Sequence, residues 1–186
     1  MGATVEVQKL GLKVFVDQPQ GVDVQSFMET FNEWIRDKSV PGILIDIADY
    51  THMHHGPGVM LVSHEANWSM DEEGGRLGLL VAVKVQEQGS LAERIEQVFK
   101  RVYLGCRLIE GTPRHRGIQF NRGHFVFMAG DRLTAVHDDD TLQQLTTALK
   151  AHIAKNFQDA NPVIHFEQDK RKRVALHVQL SKAARI

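Results

Sequence analysis

Four of the chain's ten histidines fall within seventeen residues, Asp49 to Glu65, which read DYTHMHHGPGVMLVSHE. Neutral imidazole is the commonest protein ligand for transition metals, and an ion such as zinc gathers three or four N, O or S donors in a compact shell. His52 and His54, two apart in an extended chain, would point the same way, and His64 could return as a third donor after the Gly-Pro-Gly turn. On this reading the stretch holds a divalent metal (zinc, iron or manganese) through His52, His54 and His64. Glu65 then serves as general base in a metal-assisted hydrolase or isomerase, and Asp49 orients an imidazole.

A metal-free reading uses the same residues. Gly56 and Gly58 would bring backbone N–H groups close to a small ligand, Asp49 and Trp68 would line the pocket, and His64 or Glu65 would move a proton. A third reading makes His52, His54 and His55 a solvated loop, with His64 packed at a strand end. Known signatures do not choose among these. There is no H-E-x-x-H, and T-H-M-H-H lacks the acidic residue of T-H-x-H-x-D-H hydrolases. A metal-dependent (β/α)8 barrel would need about 250 residues.

Other motifs are missing or weak. No G-x-S-x-G elbow, P-loop or G-x-G-x-x-G is present. Ser63-His64-Glu65 is no relay, because neighbours on a strand point to opposite faces. Cys106 sits in a helical pattern and reads as packing material. Lys170-Arg-Lys-Arg173 reads as the solvated tip of a hairpin, and His124, His165 and His177 are placed where they could share one sheet face.

The elements that must position these groups follow from periodicity. Val24, Phe27, Met28, Phe31, Trp34 and Ile35 mark a helix after Asp23, closed by Pro41-Gly42. Ser90 and Glu93 form a capping box ahead of a second helix, with Ile95, Val98, Phe99 and Val102 on its apolar stripe. Asp138 to Asp140 precede a third, striped by Leu142, Leu145, Leu149, Ile153 and Phe157. Strands are expected over 4–16, 43–47 (buried on both faces), 59–62, 77–85, 124–128, 163–167 and 174–180, with the polar stretch between the third and fourth joining them as a turn. The order β-α-β-β-β-α-β-α-β-β predicts an α+β fold: a mixed or mostly antiparallel sheet with about three amphipathic helices packed on one face.

With 186 residues and no linker-like segment, one globular domain spanning 1–186 is expected. Net charge is −1 and 42% of residues are hydrophobic, so nucleic acid is not an expected partner and a packed core is. One cysteine, no secretory start and no spanning run point to a soluble cytoplasmic protein without a membrane partner. The function expected from sequence is small-ligand or divalent-metal binding through residues 49–68. The alternative is a non-catalytic homo-oligomeric assembly or protein-interaction module, built on an exposed sheet face or edge.

Overall fold

Alternation along Leu10–Val16 divides that strand between two environments: Leu10, Leu12, Val14 and Val16 face one way, Gly11, Lys13 and Phe15 the other. In the computed structural model, which describes residues 7, 9–130, 138–157, 161–169 and 172–181, this strand (β1) lies inside an eight-stranded sheet. The others are β2 (Leu44–Tyr50), β3 (Gly58–Ser63), β4 (Ala66–Asp71), β5 (Gly78–Val83), β6 (Phe120–Ala129), β7 (Pro162–Phe166) and β8 (Ala175–Leu180). Every pairing is antiparallel, in the order β2-β3-β4-β5-β1-β6-β8-β7.

Three helices cover one face: α1 (Phe27–Asp37), α2 (Leu91–Glu110) and α3 (Asp139–Asn156). Asp23 caps a 3-10 turn that runs into α1, whose chain leaves at Lys38 in a left-handed conformation. The Ser90–Glu93 capping box opens α2, and Asp138 caps α3 by accepting from the Thr141 N–H. Phe27, Phe31 and Trp34 from α1, Ile95, Val98, Phe99 and Val102 from α2, and Leu145, Leu149 and Ile153 from α3 are buried against the inward residues of the sheet. Phe99 links the layers, its ring 5.3 Å from that of Phe125 on β6 and 4.3 Å from that of His152 on α3. The architecture is α+β with the helices on one face, as the periodicity predicts.

Two local expectations need correction. The stretch read as a polar connection contains β4, with Ala66, Trp68 and Met70 turned to the helices and Asn67, Ser69 and Asp71 to the open face. The run Ile43–Ile47 is not buried on both faces: β2 is an edge strand, with a register irregularity between Leu44 and Asp46 that leaves Ile43 and Ile45 exposed. The first strand begins at Leu10; residues 4–6 and 8, Asp131 of the Ala129-Gly-Asp131 turn that the sequence predicts after 124–128, and Lys170 and Arg171 of the expected basic tip lie outside the described residues. Among the described residues no helix is long and apolar enough to cross a membrane.

Candidate functional site

The histidine stretch is divided by β3. His52 and His54 sit in the β2–β3 turn, whereas His64 sits in the β3–β4 turn at the other end of that six-residue strand. At about 3.4 Å per residue the separation is about 20 Å, beyond the reach of one coordination shell. The structure therefore does not bring His52, His54 and His64 together, and among the described residues no three His, Cys, Asp or Glu side chains are grouped to hold one ion.

Each remaining residue of the stretch has a local structural partner. Asp49 accepts from the Thr51 N–H (2.8 Å) and hydroxyl (2.7 Å), bonds that hold its carboxyl below the usual carboxylate range. Glu65 accepts from the Ile43 N–H at 2.8 Å, tying the α1–β2 connection to the β3–β4 turn, and that bond lowers its pKa from the ordinary carboxylate value. The Gly56 carbonyl accepts from the Glu72 N–H at 3.1 Å. Gly58 has φ of +60°, and a Cβ there would stand 2.1 Å from the Met70 carbonyl oxygen, so only glycine lets β3 start beside β4. Trp68 is fully buried in the core, edge-on to Trp34 at 5.8 Å.

The open face of the sheet carries a different constellation. Lys13 on β1 and Asp71 on β4, with β5 between them, form an ion pair whose side chains are 5% and 4% exposed. Lys13 Nζ also donates to the Glu73 carbonyl at 3.0 Å, and Asp71 Oδ1 accepts from the Glu73 N–H at 3.1 Å. Gly78 makes room for this: a Cβ there would stand 3.1 Å from Lys13 Cε and 2.6 Å from the Val14 carbonyl oxygen. Burial lowers the Lys13 pKa from the ordinary 10.5, outweighing the raising effect of Asp71.

Lys13 and Asp71 line a cavity of about 410 Å³. Phe15, Leu80, Val126, Met128 and Ala175 give it an apolar floor. Its charged lining comprises four cations (Lys13, Arg76, Lys172, Arg173) and three carboxylates (Asp71, Glu73, Glu167), with His177 beside them. Lys172 pairs with Glu167 at 3.1 Å. Arg76 Cζ stands over the Phe15 ring, 3.8 Å from its centroid, with Nη1 3.0 Å from His124 Nε2 and Nη2 3.3 Å from Nδ1. A neutral imidazole offers one lone pair, so only one of these contacts is a full hydrogen bond. Burial and then Arg76 lower the His124 pKa from the ordinary 6.5. Among the described residues no carboxylate pairs with Arg76.

His124, His177 and His165 do share this face, on the adjacent strands β6, β8 and β7; His165 stands opposite His177. The Lys13–Asp71 pair was missed in the sequence. Its one signal is a lone charge in the apolar run LGLKVFV. Cys106 is fully buried and burial raises its pKa, which leaves the thiol protonated and inert. Comparison with models of known protein families, with curated proteins and with solved structures gave no match to this chain.

Proposed function

We propose that this chain binds a small organic acid in the cleft on the open face of its sheet. The observation that carries this reading is Arg76, a guanidinium over the Phe15 ring at a cavity with an apolar floor and left without a carboxylate partner among the described residues. A guanidinium carries five N–H donors, so those of Arg76 not turned to His124 can meet a carboxylate or phosphate, and its contact with Phe15 helps to hold it in place before the ligand arrives. The cavity volume falls in the range of small-molecule sites, about 300–1,000 Å³, and an apolar lining with few directed polar groups is what such sites use. The ligand carries its anionic head on Arg76 and its apolar body over Leu80, Val126 and Met128.

The fluorescent acid 8-anilinonaphthalene-1-sulfonate has this chemistry and tests the reading. One dye should bind per chain, and Arg76→Ala should weaken binding by about tenfold or more, the worth of a hydrogen bond to a charged group at about 1.5–3 kcal/mol. Dye binding that is absent, or unaffected by Arg76→Ala, would remove the proposal.

A second reading rests on the edge strand β2. Ile45 on β2 and Ile43 just before it are 58% and 64% exposed at one edge of the sheet, which favours a homo-oligomer formed by edge pairing. Light scattering on the wild type and Ile45→Lys tests it. A dimer that becomes monomeric in the variant supports assembly through β2, and a monomeric wild type counts against it.

A further inference from the structure

Resting on the acid-binding reading, we infer that Lys13 is a carbonyl-capturing amine and that the ligand is an oxo acid, whose aldehyde or ketone carbon Lys13 Nζ engages as an imine. The geometry around the nitrogen carries this. Apart from Cε, Nζ has two hydrogen-bond acceptors among the described residues, Asp71 Oδ1 and the Glu73 carbonyl oxygen, and it stands 5.6 Å from the centroid of the Phe15 ring. An ammonium has three protons to place, and these two acceptors leave the third without a hydrogen-bond acceptor among the described residues. A neutral amine has two protons and one lone pair, so both acceptors are served and the lone pair takes the remaining tetrahedral direction. Lys13 lines the cavity while remaining almost wholly buried, so a ligand seated there lies beside the amine.

The surroundings supply the rest of the chemistry. Burial disfavours the charged form of the lysine, which raises the share of the nucleophilic neutral amine at ordinary pH. Nζ attacks the carbonyl carbon, a C–N bond forms, and the carbonyl π electrons move to oxygen. Asp71, bonded to Nζ, takes the first proton that nitrogen sheds and passes it to that oxygen, giving the carbinolamine, then takes the second N–H proton and passes it to the carbinolamine hydroxyl. The C–O bond then breaks, water leaves, and the imine remains with no oxidant or reductant consumed. Arg76 and Lys13 line the same cavity, so the carboxylate of an oxo acid can rest on the guanidinium while its carbonyl meets the amine.

Glyoxylate, the smallest aldehyde acid, is the probe, with propanal as its uncharged counterpart and cyanoborohydride to reduce any imine to a stable amine. Peptide mass mapping of the native chain should show Lys13 carrying the carboxymethyl mark at about ten times the level of other lysines, with no such preference from propanal. In Arg76→Ala, which alters an exposed side chain, the preference for glyoxylate should fall while Lys13 stays in place. If the dye binds one per chain and glyoxylate displaces it, yet Lys13 stays unmarked while surface lysines react, the imine is refuted and acid binding stands. If propanal marks Lys13 as selectively as glyoxylate, the oxo-acid assignment is overturned. Neither dye binding nor marking of Lys13 would overturn both.

Discussion

Breaking the Lys13–Asp71 pair one side at a time tests whether the cleft is a low-dielectric site. Lys13→Met leaves a carboxylate 4% exposed on the sheet, and Asp71→Leu leaves an ammonium 5% exposed. Removing one member of a buried pair costs about 3–5 kcal/mol, because the survivor keeps its desolvation penalty and loses its compensation. The low end applies here, since Asp71 keeps the Glu73 N–H and Lys13 keeps the Glu73 carbonyl. Each single variant should therefore lose about 3 kcal/mol. The double variant Lys13→Met/Asp71→Leu carries no buried charge at these positions and should lie within about 1 kcal/mol of wild type. The resulting coupling, about 5 kcal/mol, exceeds the usual range of about 0.5–3 kcal/mol for contacting residues. Urea unfolding followed by tryptophan fluorescence reads it, because both tryptophans, Trp34 and Trp68, lie in the core.

Asp71→Leu adds a pH signature with a definite sign. Without its carboxylate the buried lysine has its folded-state pKa lowered further, while the unfolded chain keeps the ordinary 10.5. Between those two values the unfolded state binds more protons, so stability must fall as pH falls, by up to about 1.4 kcal/mol per pH unit, and level off below the folded pKa. Single variants costing under about 1 kcal/mol, with no coupling, would place the pair in the range of exposed ion pairs. The cleft would then be wet, and the reasoning about Lys13 as a neutral amine would lose its basis.

Further outcomes follow from the same geometry. Gly58→Ala should cost about 3 kcal/mol or more in urea unfolding, since it combines a left-handed φ with a backbone clash; a loss below about 1 kcal/mol would show that β3 and β4 can separate. Replacing His52, His54 and His64 together by alanine should change stability by no more than about 0.5 kcal/mol, as all three are exposed, and elemental analysis should show the same metal content before and after; stoichiometric metal lost in the variant would restore the loop as a metal site. Burial lowers the pKa of His115, His152 and His177 from the ordinary 6.5, so the unfolded chain takes up protons first as pH falls. Thermal midpoints should therefore drop below pH 6.5, and a midpoint that is flat or rises on acidification contradicts this. Cys106 should resist a thiol-reactive disulfide reagent in the native chain and react only on unfolding.

The helices were legible because their apolar stripes and caps are local. Ser90 and Glu93 form the expected box, and Asp138 caps where the acidic triplet predicts. β4 was also written in the sequence, for Ala66-Asn-Trp-Ser-Met-Asp71 alternates strictly, but Ala66, Asn67 and Asp71 are poor strand formers and, beside Glu72-Glu-Gly-Gly75, read as turn chemistry. The candidate site was not legible. Lys13 and Asp71 are 58 residues apart and meet only because β4, β5 and β1 are neighbours, an order no local pattern dictates. The histidine stretch misleads for the complementary reason: its residues are close in sequence, and an extended β3 holds its two ends apart in space.

The two regions are nevertheless joined. The Gly56 carbonyl accepts the Glu72 N–H, and the ring of His55 stands 3.6 Å from where a Cβ on Gly75 would be, so the β2–β3 turn rests on the segment that leads from Asp71 to Arg76. That segment supplies Asp71, Glu73 and Arg76 to the cleft. Gly58 lets the turn sit there, through a backbone conformation that other residues resist. The Gly-Pro-Gly stretch thus acts on the cleft by holding one rim of it, and a substitution in the turn should weaken ligand binding without touching the ligand. His55→Ala separates the two roles, because it removes the contact at Gly75 and leaves the Gly56–Glu72 backbone bond. Dye affinity reduced by about threefold, with unfolding within about 0.5 kcal/mol of wild type, is the expected result. Unchanged affinity would show that the backbone bond alone positions Arg76.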